Sequence, residues 1–175
     1  MRIIAGRWRG RRLKALRGRD IRPTTDRVRE SWMAALGSDL AGATILDLFA
    51  GSGALGFEAL SRGAESVVFV ERAKAAQNAI RANADLLGAE ADVELWSGDA
   101  MKYVERLDAG SFDLALADPP YGKGFAAKLI ERFETTAFAS QLWVEHRKTD
   151  VTPDVPGLRQ RRYGDTLISV VEAKS

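Results

Sequence analysis

Twelve residues, Ile45-Leu46-Asp47-Leu48-Phe49-Ala50-Gly51-Ser52-Gly53-Ala54-Leu55-Gly56, constrain the fold more than any other stretch: an apolar strand ends in a glycine loop, and the loop opens a helix. Gly51, Gly53 and Gly56 fit G-x-G-x-x-G, where missing side chains permit a tight turn, close approach of backbone to a ligand, and packing of helix on strand. The bland alternative is an unligated structural turn. As a binding loop, it takes a nucleoside-containing ligand.

Asp47 narrows the ligand. A dinucleotide sets its pyrophosphate at the helix N-terminus, so a carboxylate four residues before the first glycine adds repulsion beside two phosphates. S-adenosylmethionine carries no phosphate, and its sulfonium and ammonium groups are attracted by an acidic strand end. Glu71 closes the next apolar run, 67–70, twenty positions after Gly51, where a carboxylate accepts the ribose hydroxyls unless it is simply a solvated strand end. Gly98-Asp99-Ala100 follows a third run, 93–96; Asp99 either accepts from the adenine amine or caps the following helix. The candidate cofactor-binding set is therefore Asp47, Gly51, Gly53, Glu71, Asp99 and Ala100.

From Thr44 onward strands alternate with helical stretches: helix 54–62, strand 67–70, helix 73–87, strand 93–96, helix 101–107, strand 112–117, helix 126–133 and strand 141–145. Runs 158–163 and 166–172 flank Gly164-Asp165 with no room for a helix, so they pair as an antiparallel hairpin. The expected fold is α/β and Rossmann-like: a seven-stranded, mostly parallel sheet ending in an antiparallel hairpin, the S-adenosylmethionine-dependent methyltransferase order. A dehydrogenase does not end this way.

The 175-residue chain with 46% hydrophobic content suits one globular domain. It has no cysteine and one histidine, His146, which argues against disulfides and a zinc centre. No metal is expected. There is no apolar run long enough to span a bilayer and no signal-peptide pattern, so a cytoplasmic protein without membrane contact is expected. The net charge of +2 hides an asymmetry: residues 1–36 hold eleven Lys or Arg against three Asp or Glu, and the remainder fifteen against twenty-one. Such clustering is the footprint of a polyanion partner.

The positive end reads as a basic N-terminal arm, 1–22, ahead of a methyltransferase domain, 23–175. Two short strands, 2–5 and 12–16, flank the turn Gly6-Arg7-Trp8-Arg9-Gly10-Arg11. Trp8 either stacks on an unpaired base or anchors the arm on the domain. After a linker, 18–22, Pro23-Thr24-Thr25-Asp26 starts a helix with Thr25 as cap, and Val28, Trp32 and Leu36 form its packing stripe. Arg27 either pairs with Glu30 or faces RNA or cofactor. Candidate RNA-binding residues are Arg7, Trp8, Arg9, Arg11, Arg12, Arg22, Arg27 and Arg29.

Asp118-Pro119-Pro120-Tyr121, directly after strand 112–117, is the most specific chemical signal. Two prolines leave few backbone donors and outward carbonyls, and the tyrosine supplies a stacking face. An amino group on a heteroaromatic ring is a poor nucleophile because its lone pair is delocalised. Hydrogen bonds from it to the Asp118 carboxylate and the Pro119 carbonyl favour a pyramidal nitrogen able to attack a methyl group, and Asp118 can take the released proton. Tyr121 holds the base, rotated out of its stack or unpaired. The catalytic candidates are Asp118, Pro119, Pro120 and Tyr121; a rigid Pro-Pro turn is the alternative.

These residues together resemble the RsmD-type small-subunit ribosomal RNA guanine-N2 methyltransferases over nearly the whole chain. The resemblance rests on Arg2-Ile3-Ile4-Ala5-Gly6, Arg9-Gly10-Arg11-Arg12, the run Arg22-Pro23-Thr24-Thr25-Asp26-Arg27-Val28-Arg29-Glu30, residues 46–56, Asp118-Pro119-Pro120-Tyr121 and Tyr163-Gly164-Asp165-Thr166. Asp-Pro-Pro-Tyr is shared with adenine-N6 and glutamine-N5 enzymes, so the arginine-rich run discriminates. Ala5 stands where a glycine is common, a difference of one methyl. The resemblance implies methyl transfer from S-adenosylmethionine, with S-adenosylhomocysteine as product, to the exocyclic N2 of one guanine in 16S rRNA. The partner is then the small ribosomal subunit or its 16S rRNA, and nothing suggests more than a monomer. The rival readings are an adenine-N6 methyltransferase on DNA or RNA and a non-catalytic RNA-binding assembly factor. Intact Asp47, Glu71, Asp118 and Tyr121 speak against the second rival.

Overall fold

Strand β1 (Thr44–Leu48) is apolar but for Asp47 and Thr44 because both of its faces are covered. Its side chains alternate: Ile45 joins the core on one face of the sheet, and Leu46 and Leu48 join the core on the other. The computed structural model describes residues 1–17 and 26–175. The expected linker 18–22, Arg22 within it, and the Thr25 cap lie outside the described residues.

Parallel neighbours flank β1 on both sides: β2 (Ser66–Glu71) and β4 (Phe112–Ala117). Beyond β2 lies β3 (Val93–Ser97), and beyond β4 lies β5 (Ala139–Arg147), both parallel. The hairpin β6 (Arg159–Tyr163) and β7 (Thr166–Glu172) closes the sheet, β7 running antiparallel to both β5 and β6. The order β3-β2-β1-β4-β5-β7-β6 is the expected mostly parallel sheet with a terminal hairpin. Chain direction across the sheet reverses between β1 and β4. A crevice opens there, outside the carboxyl ends of the strands.

Helices α1 (Asp26–Leu36), α2 (Ala54–Ser61) and α3 (Lys74–Leu87) cover one face, and α4 (Ala100–Glu105) and α5 (Phe125–Thr135) the other. Gly88 ends α3 in the left-handed conformation that a side chain would disfavour. Helix α4 begins at Ala100 rather than Met101 because the Asp99 side chain accepts from the Lys102 N–H and fixes the first turn.

The N-terminal segment packs into this core and hydrogen-bonds to α2 and α3. A single antiparallel bridge, Arg2 to Arg12, replaces the expected strands 2–5 and 12–16. Three backbone donors pair the two segments, Ile3 N–H to the Arg11 carbonyl, Gly10 N–H to that of Ile3 and Leu13 N–H to that of Met1, while others reach the domain: the Ile4 and Ala5 N–H groups donate to the Glu58 carboxylate at 2.9 and 3.1 Å, that of Arg7 to the Ser61 carbonyl, and that of Lys14 to the Asn83 side chain. Ile3 and Leu13 are buried in the same core as Trp32 of α1 and Phe57 of α2.

Candidate active site

A cavity of about 860 Å³ occupies the crevice and takes its walls from the segments after β1, β2, β3, β4 and β5. One side is built by backbone held from below. At Gly51 the chain turns left-handed, φ 58°, and its N–H donates to Glu71 Oε2 at 2.8 Å, while Glu71 Oε1 accepts from the Ala73 N–H at 2.8 Å. Glu71 thereby locks the glycine loop to the end of β2 and still faces the cavity with Gly51. Phe49 also takes a positive φ, 57°, unusual for a bulky residue; its ring lies 5.0 Å from that of Phe125, and both line the cavity.

Asp47 does not reach the cavity wall, which corrects its expected contact with the ligand. It is buried beneath the loop, where Oδ2 accepts the Gly56 N–H at 2.9 Å at the start of α2. Burial pushes its pKa well above the ordinary carboxylate value, against the lowering effect of that hydrogen bond. Gly53 is likewise buried rather than on the wall, and a methyl there would come within 2.7 Å of the Phe57 ring. At Gly56 a methyl would come within 2.3 Å of Phe69 on β2, so this glycine sets the helix-to-sheet distance. Asp99 and Ala100 line the cavity at the start of α4, Asp99 with the capping role given above.

The opposite side carries the Asp-Pro-Pro-Tyr segment. Asp118, Pro119, Pro120 and Tyr121 all line the same cavity, directly after β4. The Tyr121 hydroxyl donates to Glu145 Oε1 at 2.5 Å, and the Arg147 guanidinium lies 5.1 Å from the centre of its ring. Burial first, and then the bond to Glu145, raise the Tyr121 pKa far above the usual phenol value, so the hydroxyl stays protonated. His146 is buried, with its ring nitrogens on the Arg147 carbonyl and the Ser169 hydroxyl; it is structural.

The structure therefore brings Gly51, Glu71, Asp99, Ala100 and Asp118 to Tyr121 together in one cavity, and leaves Asp47 and Gly53 behind the wall. Leu16, Phe49, Lys123, Phe125 and Arg147 were missed as wall residues. Arg147 could have been found from its place at the carboxyl end of a strand; Phe49 and Phe125 read as ordinary core. Asn83 was missed too: from the middle of α3 it donates to the carbonyls of Ser52 and Lys14, tying the glycine loop to the N-terminal segment.

Among the basic candidates, Arg9, Arg11, Arg12 and Arg27 are exposed. Arg7 is paired with Asp92 at 3.1 Å and covers the Trp8 ring. Trp8 is half-buried with its side chain packed against the core and its backbone N–H on Ser61 Oγ at 3.0 Å, an arrangement that anchors the segment on the domain. Arg29 must be withdrawn from the RNA-facing set. It is 1% exposed, donates to the Arg2 carbonyl and Asp26, and lies 3.7 Å from the buried Glu58, which also pairs with Arg62 at 2.9 Å. Its place on the helix stripe side, beside Trp32 and Met33, explains the burial. Among the described residues, no cluster of His, Cys, Asp and Glu could hold a metal ion, and no helix is long and apolar enough to cross a membrane.

A family model described as conserved hypothetical protein 95 matches residues 1–172. Ribosomal RNA small subunit methyltransferase D of Haemophilus influenzae is 38% identical over 74% of this chain and 68% of its own length. The Escherichia coli K12 protein of that name is 34% identical over 89% and 79%. A solved structure from Escherichia coli superposes with a TM-score of 0.83 at 32% identity, covering 97% of this chain and 96% of that one. An RNA methyltransferase from Salinibacter ruber, solved with S-adenosyl-L-homocysteine, shares the fold at a TM-score of 0.66 and 17% identity, covering 86% and 93%.

Proposed function

The chain belongs to the RsmD-type family of ribosomal RNA small subunit methyltransferases, and from that premise we propose that it methylates the exocyclic N2 of a guanine in 16S rRNA, using S-adenosylmethionine. The observation that carries this reading is the shared cavity: the glycine loop and the Asp118–Tyr121 segment face one space large enough for a nucleoside cofactor and one base.

The wall residues fit S-adenosylmethionine by their chemistry. Glu71 offers carboxylate oxygens for ribose hydroxyls, Asp99 and the Ala100 backbone suit the adenine edge, and Gly51 lets the backbone approach without a side chain in the way. Asp47, buried beneath the loop, serves the site from behind by accepting the Gly56 N–H at the start of α2. Among the described residues, Arg72 after β2 is the cation on this side of the cavity.

When bound, S-adenosylmethionine supplies a methyl carbon whose bond to sulfur breaks as its bond to the acceptor nitrogen forms, leaving S-adenosylhomocysteine. The protein's part is alignment and proton management. The Asp118 carboxylate and the Pro119 carbonyl accept hydrogen bonds from the acceptor amino group and draw its lone pair out of ring conjugation. Asp118 then accepts the proton that the methylated nitrogen releases, and passes it to water. Tyr121 holds the base by stacking, and Arg147 and Lys123 at the cavity mouth suit flanking phosphates. The exposed Arg9, Arg11 and Arg12 of the N-terminal segment, together with the exposed Arg27, supply the RNA-facing cations. The protein acts as a monomer on the small subunit or its 16S rRNA.

The test is incubation with methyl-labelled cofactor and small subunits from cells lacking this protein, followed by nucleoside mass spectrometry. Labelled N2-methylguanosine is expected. Label in N6-methyladenosine would transfer the assignment to the adenine enzymes, and cofactor binding without any label would favour an RNA-binding assembly factor.

A further inference from the structure

Tyr121 lies in a loop that does little to orient its ring. Gly122 and Gly124 follow it, both with left-handed φ of 71° and 74°, and the Gly122 N–H donates to Asp150 Oδ1 at 3.2 Å, so the turn after the ring is fixed through backbone and leaves the rotation of the ring to its own contacts. Proline on the other side fixes the path of the chain but not the rotation of the next side chain. A phenyl ring there would stack on a base equally well by area. The chain has a phenol instead, and its hydroxyl points into the protein.

That hydroxyl meets Glu145. The glutamate is 3% exposed and stands on β5, which is hydrogen-bonded to β4 on one side and β7 on the other, so its carboxylate is carried by an interior strand of the sheet. Thr166, at the start of β7, also hydrogen-bonds the Tyr121 oxygen. The phenol stays protonated and remains a donor to the carboxylate, a charge-assisted bond of the stronger kind. The Arg147 guanidinium then rests over one face of the ring, two residues along the same strand.

We propose that Glu145 is a positioning residue for methyl transfer: through the Tyr121 hydroxyl, it fixes the plane on which the acceptor base stacks. This rests on the reading of Tyr121 as the residue that holds the base. Glu145 touches neither base nor cofactor in this role. It sets the angle at which the acceptor nitrogen meets Asp118 and the methyl group, a quantity to which transfer rates are steeply sensitive.

The experiment compares Glu145→Ala, Glu145→Gln, Tyr121→Phe and the Tyr121→Phe/Glu145→Ala double variant, measuring kcat and KM on small subunits and, separately, cofactor Kd. Glu145→Ala and Tyr121→Phe should each lower kcat roughly tenfold with cofactor Kd unchanged. The double variant should be no slower than the worse single, because both remove one hydrogen bond. Glu145→Gln keeps an acceptor oxygen and should recover most of the rate; a general packing role would not distinguish it from alanine in this way. Wild-type kcat in Glu145→Ala, or single losses that multiply in the double variant, overturns the role. If Glu145→Ala fails to fold, Tyr121→Phe decides, since turnover at the wild-type rate in that variant overturns the role as well. Absence of methyl transfer by the wild-type protein contradicts the functional reading and this role with it, whereas a normal rate in the variants contradicts this role alone.

Discussion

The two sides of the cavity, proposed above to take the cofactor and the acceptor base, are held in place by different means. On the cofactor side each carboxylate braces nearby backbone: Asp47 to Gly56, Glu71 to Gly51 and Ala73, Asp99 to Lys102. On the acceptor side the segment has few backbone donors, and its aromatic ring is fixed by Glu145, 24 residues further on, with Arg147 over its face. The first side is preformed by strand-loop-helix units; the second depends on the tip of β5 and the hairpin behind it. The division implies that cofactor affinity and methyl transfer fail separately when each side is damaged.

The largest separation should come from Asp118→Ala. It removes both a hydrogen-bond acceptor and the proton acceptor, so turnover should fall by about a thousandfold, while cofactor Kd measured by calorimetry stays within about twofold. A matching loss of cofactor affinity would break the comparison. Next in size is Arg29→Ala, which removes the buried guanidinium that holds the Arg2 carbonyl and lies beside Glu58, while Arg62 still pairs with Glu58, and should cost about 2 kcal/mol of stability, read from urea unfolding. The salt dependence of RNA binding should not change in that variant, because Arg29 lies inside the protein.

Glu71→Ala should raise cofactor Kd by roughly ten- to a hundredfold, since it removes a ligand group and two charge-assisted backbone bonds. At saturating cofactor kcat should be nearly unchanged, which sharpens the same division from the other side. Asp47→Asn tests the buried carboxyl. A raised native pKa means that the folded state binds its proton more tightly than the unfolded state does, so this group costs stability as pH rises from the ordinary carboxylate value through the raised one. The variant should therefore gain stability over wild type most above the raised value, and the gain should vanish toward about pH 4. Thermal unfolding across that range measures it; a difference independent of pH would contradict the assignment. The smallest effects belong to Arg9→Ala, Arg11→Ala and Arg12→Ala, each expected to lower the salt slope of RNA binding by about one without moving Tm.

What could be read from the sequence follows the same division. The glycine loop, Glu71 and Asp99 act within a strand and the helix after it, so spacing alone exposed them, as it exposed the alternation of strands and helices and the closing hairpin. Asp47 shows the limit of spacing: its position was right at the strand end, but only the path of β1 shows that its side chain turns under the loop. Arg29 reads as one more arginine in a basic run, yet Glu58 draws it inward across a gap in sequence that no local pattern reveals. The Glu145 contact with Tyr121 and the Asn83 clasp on Ser52 and Lys14 are products of tertiary packing, and the residue types gave no signal for either.

The most direct measurement is a crystal structure of this protein with S-adenosylhomocysteine. The expected result has the ribose hydroxyls on Glu71, the adenine beside Asp99 and Ala100, and the sulfur turned toward Asp118 and Tyr121. A product molecule seated outside this cavity, or with its sulfur turned away from the Asp118–Tyr121 segment, would contradict the division of the site into cofactor and acceptor sides.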